Sequence, residues 1–220
     1  MAKYEGNCFI CGKTAGRMAL KNHVLKVHNE GDEKCFLMRA ESKYRGLPYW
    51  LFFSVPKNAQ LGDIDDFLRD IWLECCGHLS AFEGKYDEYP MEMNLNRFYI
   101  GDKLGYDYDF GTTTELLITF LDEISRPRQK EKVQLLARNI PVEEKCTECN
   151  EIAVYTNAAV WEEELACESC YEKDGIEEAF YLPITNSPRS GSCGYTGNTD
   201  RWEFDPEGDF PQPPSSVGSV

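Results

Sequence analysis

Between residues 146 and 170 the chain reads CTECNEIAVYTNAAVWEEELACESC, that is Cys-x2-Cys-x17-Cys-x2-Cys. Few patterns restrict a fold as tightly. Each Cys-x2-Cys places two thiols on one tight turn, and two such knuckles at this separation close a tetrahedral four-cysteine site through Cys146, Cys149, Cys167 and Cys170. Zinc suits such a donor set. Four thiolates leave no open coordination position, so a structural ion is expected there and not a catalytic one. A disulfide framework and a pair of thioredoxin-like redox sites are the competing readings of ten cysteines. One metal explains both matched pairs together, and the two alternatives do not. The segments IAVYT and AVWEE between the knuckles read as a short hairpin, with Trp161 available for packing.

A second ligand pattern opens the chain. CFICGKTAGRMALKNHVLKVH, residues 8 to 28, spaces Cys8, Cys11, His23 and His28 as Cys-x2-Cys-x11-His-x4-His. Two thiolates from a knuckle and two imidazoles about one helical turn apart again close a tetrahedron. Leu20 is placed as the small apolar plug of such a finger, while Ala15 stands where a large aromatic is customary. The core is therefore thin and the metal must do most of the folding. Two Zn2+ per chain are expected, with no organic cofactor.

DNA reading is a separate question. The helix offers Gly16, Ala19 and Asn22 at the base-reading positions, and of these only Asn22 could make a bidentate contact. Lys13, Arg17, Lys21 and Lys26 could still hold a phosphate backbone without sequence preference. Charge argues against more than that. The formal net charge is -15, and only residues 1–34 are slightly basic, with six Lys/Arg against four Asp/Glu. Residues 141–180 carry twelve acids against two lysines. That segment should repel nucleic acid and suit a protein partner with a basic surface.

No run of 18 or more apolar residues occurs, and MAKYEGNCFI lacks the pattern of a secretory signal, so a cytoplasmic protein without a membrane segment is expected. With 42% hydrophobic and 13% aromatic residues, 220 residues can bury a substantial core.

Residues 35–140 read as strands around one clear helix. CFLMRAES and LPYWLFFSVP are β-rich, the second apolar enough to be covered on both faces. LGDIDDFLRDIWLECCG repeats its apolar residues at three and four, with acids in the first turn and Gly77 placed to end the helix. HLSAFEG, RFYIGD, LGYDYDFG, TELLITFLDEI and KVQLLARNI follow as strands. The expected fold is α+β: a central mixed or antiparallel sheet with one main helix, flanked by two small zinc modules. The expected organisation is a finger over 1–34, the α+β domain over 35–140, the four-cysteine module over 141–182, a folded-back Gly/Pro-rich tail over 183–210 and a disordered end over 211–220.

The helix of residues 61–77, the strand bearing His78, Leu79 and Phe82, and the strand bearing Tyr106, Tyr108, Asp109, Phe110 and Gly111 resemble, in that order, the Ri-plasmid ORF-three-like family, also described as transposon-passenger TnpR-like proteins. The resemblance covers about 90 residues. It implies an α+β fold and no particular reaction. Many members carry an Asp and a nearby Trp after that glycine, where this chain has Thr112, Thr113 and Thr114. The stretch LPITNSPRSGSCGYTGN resembles the closing segment of zinc-bearing relatives of the family; its Gly-rich, defined composition is read as a tail that folds back on the zinc module, with Cys193 an extra thiol expected to be packed and not ligating.

No catalytic signature such as GxSxG, HExxH, a P-loop or GxGxxG appears. His78 and the acids Asp107 and Asp109, two apart on one strand, are the candidates for chemistry. Their structural readings are a helix-exit histidine bonding a carbonyl and a turn-stabilising aspartate. The function expected is a non-enzymatic interaction or adaptor protein of the plasmid and transposon-passenger type. The alternatives are a nucleic-acid accessory factor using the finger and an enzyme built on His78 and Asp109. Cys35, Cys75, Cys76 and Cys193 have no assigned role.

Overall fold

A computed structural model describes residues 5–44, 47–84, 87–160, 164–174, 180–197 and 202–207. The strands are β1 (Glu5–Cys8), β2 (Thr14–Gly16), β3 (Glu33–Ser42), β4 (Trp50–Pro56), β5 (Ser80–Glu83), β6 (Glu88–Tyr89), β7 (Lys103–Tyr108), β8 (Thr114–Arg126) and β9 (Gln134–Asn139). They form one nine-stranded sheet in the order β2-β1-β9-β4-β3-β8-β7-β5-β6. Every pairing in it is antiparallel. The helices are α1 (Arg17–Val27), α2 (Leu61–Leu68) and the short α3 (Glu168–Asp174). The fold is α+β with one main helix on the sheet and Cys/His clusters at both ends of the chain. Among the described residues, no helix is long and apolar enough to cross a membrane.

The sheet is covered on both faces, and β4 shows why its sequence is apolar but for Ser54. Leu51, Phe53 and Val55 enter one core with Ile64, Leu68 and Trp72 from the α2 side. Trp50 and Phe52 point the other way, into a second core with Leu20 and Val24 of α1. Period-two alternation sends neighbours to opposite faces, so a strand sandwiched between two covers is apolar on both. The finger is therefore not a detached bead. β1 pairs with β9 through Gly6↔Asn139, Asn7↔Arg138 and Cys8↔Ala137, and α1 lies over the adjoining face.

α2 begins with a capping box in which Gln60 and Asp63 satisfy each other's backbone N–H groups. It is shorter than its periodicity predicts. After Leu68 the chain widens into a π-helical turn, Arg69–Leu73, and the helical backbone stops there, four residues before Gly77. Arg69 explains the change. Its guanidinium donates to Asp65, Glu74, the His78 carbonyl and Ser80 at 2.7–2.9 Å, tying the turn to the start of β5. Single π turns frequently mark sites where side chains must be re-aimed, and this one delivers Cys75 and Cys76. A second difference is RFYIGD, which is no strand. Leu95–Arg97 forms a 3-10 turn, and Gly101 adopts φ 99° before β7 begins. Phe98 is buried in the core while Tyr99 and Ile100 are exposed, so the apolar run reflects one anchor and not alternation.

In the acidic module, β10 (Tyr155–Asn157) pairs with β11 (Leu165–Ala166) and with β12 (Tyr181–Pro183). The partner of IAVYT is thus Leu165–Ala166 and the start of the tail. Trp161, Glu162 and Glu163 of AVWEE lie outside the described residues, as do residues 211–220 of the tail.

Candidate metal centres

Two knuckles of the same design carry the expected ligands. In the finger, Gly12 N–H donates to the Cys8 carbonyl at 2.9 Å and Cys8 N–H to the Lys13 carbonyl at 2.9 Å. In the acidic module, Asn150 N–H donates to the Cys146 carbonyl at 3.1 Å and Cys146 N–H to the Glu151 carbonyl at 2.8 Å. The residue after the second cysteine is left-handed in both, Gly12 at φ 74° and Asn150 at φ 64°. Glycine and asparagine are the residues that accept this conformation at least cost. The reversal turns both thiols of each pair toward one point.

Around those points the remaining ligands gather. Cys11 Sγ lies 3.1 Å from His23 Nε2 and 3.3 Å from His28 Nε2, and the two imidazole nitrogens are 3.1 Å apart. Cys149 Sγ is 3.5 Å from Cys167 Sγ and 3.6 Å from Cys170 Sγ. A tetrahedral ion with bonds of about 2.0–2.3 Å needs ligand atoms roughly 3.3–3.8 Å apart. In each cluster all four ligand atoms lie within 4.8 Å of one another.

The electrostatics fit cation binding. Backbone N–H groups, led by Cys149 and then Cys167, hold the Cys146 thiol down to about 6. Its neighbours Cys149 and Cys167 push the Cys170 thiol up to about 12. Several thiols in one small volume resist carrying more than one negative charge, and a divalent cation removes that resistance. In the finger, burial, then His23 and then Arg126 lower His28 to about 4, which keeps its ring in the neutral, ligating form.

Acid should therefore undo the finger. The unfolded chain takes up a proton on His28 near its ordinary 6.5, and the folded chain only near 4. Below 6.5 the unfolded state binds the extra proton, so stability falls as pH drops through that window and is level below it. Proton competition with a bound metal acts in the same direction. The urea midpoint is expected to decrease from pH 7 to pH 5; a flat profile would contradict this account of His28.

The structure brings together a third set of ligands. Cys75, Cys76, His78 and Cys193 also lie with their ligand atoms within 4.8 Å of one another. Three clusters, not two, are geometrically suited to metal among the described residues. Cys193 was expected to be packed; it is exposed, and its Sγ lies 3.2 Å from His78 Nε2.

The catalytic candidates are redistributed by the same geometry. Asp109 is not on the same face as Asp107, because it lies past the end of β7 at φ 65°. Asp107 stays on the strand among Glu83, Lys43 and Glu115, where burial first and Glu83 next raise its carboxyl. Asp109 accepts from Gly111 N–H at 3.0 Å, as a turn-stabilising side chain does, and from Arg189 Nη2 at 2.6 Å. His78 bonds no carbonyl through its ring. Its Nδ1 lies 3.4 Å from Asp109 Oδ1 and its Nε2 faces Cys76 and Cys193. His78 and Asp109 do converge, but on a group of thiols.

On the finger, Arg17 is ion-paired to Glu41 at 2.7 Å. Lys13, Asn22 and Lys26 are exposed and Lys21 is half-buried. The exposed residues of α1 are Met18, Ala19, Asn22 and Lys26.

No family model matches the chain, and no curated protein matches it. Among solved structures it is similar to the protein of unknown function MM3350 from Methanosarcina mazei Go1, at 17% identity and a TM-score of 0.39, covering 48% of this chain and 67% of that one.

Proposed function

We propose that this chain is a zinc-organised, non-enzymatic interaction protein whose acidic four-cysteine module receives a protein partner with a basic surface. The observation that carries the reading is the combination found on that module. Its metal cluster is closed by four protein ligands, and around it Ile152, Val154, Val160 and Phe180 remain exposed among acids such as Glu148, Glu151 and Glu168. A closed site favours a structural ion, and thiolate with imidazole donors favour zinc. Apolar side chains set in a charged surround are the composition of a docking patch, in which the charges set on-rate and orientation. The resemblance around Tyr106–Gly111 supports kinship with the plasmid and transposon-passenger proteins and adds no reaction to the reading.

The test is capture of a basic protein by the immobilised chain under rising salt. Binding is expected to weaken steeply with ionic strength. It should fall at least tenfold when Ile152 and Val160 are changed to serine together with Glu148→Gln and Glu151→Gln. If instead the chain retains DNA, and Lys13→Glu with Lys26→Glu abolishes that retention, the nucleic-acid reading replaces this one.

A further inference from the structure

We infer that Cys75, Cys76, His78 and Cys193 form a third Zn2+ site, which staples the C-terminal segment to the π turn after α2 and the end of β7. The inference rests on the reading of the chain as zinc-organised. It adds a site that neither knuckle motif contains.

Distances come first. Cys75 and Cys76 Sγ are 3.8 Å apart, Cys76 and Cys193 Sγ 4.0 Å, and His78 Nε2 lies 3.0 and 3.2 Å from Cys76 and Cys193. Zinc–sulfur bonds of about 2.3 Å give tetrahedral sulfur–sulfur edges of about 3.8 Å. The sulfurs are too far apart for a disulfide bond of about 2.05 Å.

The surroundings are those of a built metal site. His78 Nδ1 lies 3.4 Å from Asp109 Oδ1 while Nε2 faces the thiols, so a carboxylate stands behind the ring on the side away from the cluster, as it does behind many metal-ligating histidines. Asp109 is itself held by the buried Arg189 at 2.6 Å. The same guanidinium lies 3.6 Å from Cys75 Sγ. When zinc binds, three thiols release their protons to solvent and the neutral imidazole contributes a lone pair. Three thiolates and one divalent ion then leave a single negative charge, next to which Arg189 already stands.

The backbone is committed to this aim. Cys193 sits at φ 47°, between Gly191 at φ 77° and Gly194 at φ 69°. A β-carbon residue is seldom left-handed without a reason, and here the conformation turns Sγ into the cluster.

The experiment is native mass spectrometry of the reduced, full chain with zinc counted per molecule. Three zinc ions are expected in the unaltered chain, two in Cys193→Ser and two in His78→Ala, with three restored in His78→Cys. Cobalt substitution should show an absorption component of a three-sulfur, one-nitrogen site that vanishes in Cys193→Ser. Loss of the ion should also raise proteolytic cleavage within residues 184–195 at least tenfold. Two zinc ions in both the unaltered chain and Cys193→Ser would overturn the third site and leave the two knuckle sites standing. Three in both would place the third ion elsewhere and overturn it equally. Fewer than two in the unaltered chain would sink the zinc-organised reading itself.

Discussion

Cys8→Ser is expected to destabilise the central sheet, and not the finger alone. Cys8 is fully buried, lies in register with Ala137 of β9 and belongs to the same core as Leu20, Val24, Trp50 and Phe52. Without the first metal, α1 has few means of holding its place. Gly16 provides no side-chain cap, there are no acids in the first turn, and only Leu20 and Val24 are buried. Isolated helices of this length are marginal in water. Releasing α1 returns those two side chains to solvent, at about 1.5–3 kcal/mol each. A loss of roughly 3–6 kcal/mol follows, before any account of Trp50 and Phe52 being uncovered. Amide hydrogen exchange in β4 and β9 should report it. Cys149→Ser, which dissolves the acidic module, should leave protection in β4 unchanged. Equal loss in both variants would show that the finger does not cover the sheet in the way described.

The second large effect concerns Arg189. Its side chain is fully buried and donates to Asp109 Oδ2 at 2.6 Å, to the Thr112 carbonyl at 2.7 Å and to Thr114 Oγ1 at 3.2 Å. Burial would raise the Asp109 carboxyl, but Arg189 together with the Gly111 and Thr112 N–H groups outweighs it and holds the group below its ordinary range. Arg189→Met removes the cation and leaves a carboxylate in a desolvated setting. Breaking one side of a buried pair typically costs about 3–5 kcal/mol. Adding Asp109→Asn should recover much of that loss, because it removes the unpaired charge while tolerating the left-handed backbone and keeping an acceptor for the Gly111 N–H. A double variant as unstable as Arg189→Met alone would refute the pairing. The sign with pH is fixed too. Stability from Asp109 is present above its unfolded pKa and is lost as pH falls below about 4.

What could be read from the chain and what could not follow from how local each signal is. The knuckles are legible because both thiols of a pair, and the left-handed residue after them, lie within five positions. The strands β3, β4, β7, β8 and β9 are legible because period two is a local property. The end of α2 is not, since the π turn depends on Arg69 reaching Ser80 and the His78 carbonyl across a loop. The third cluster was hidden more deeply. Cys75, Cys76 and His78 have no knuckle spacing, and the fourth ligand lies 115 residues beyond the histidine. The available hint was that YDYDFG and NSPRSGSCGYTG both look specific while neither carries an obvious task. In the structure they meet, Asp109 of the first against Arg189 of the second, and that pair places His78 and Cys193 together.

The short strands β1 and β2 have one more consequence. They occupy the edge of the sheet beside β9, and β2, the outermost strand, is only three residues long. The opposite edge is closed by β6, of two residues. Short terminal strands deny a neighbouring molecule a template for pairing. On the zinc-organised reading proposed above, that protection depends on an ion on the finger side. A metal-starved chain would then withdraw β1, bare the N–H and C=O groups of β9, and offer them to other copies of itself. On that reading, metal supply would govern the solubility of the chain, and a metal deficit would show first as aggregation.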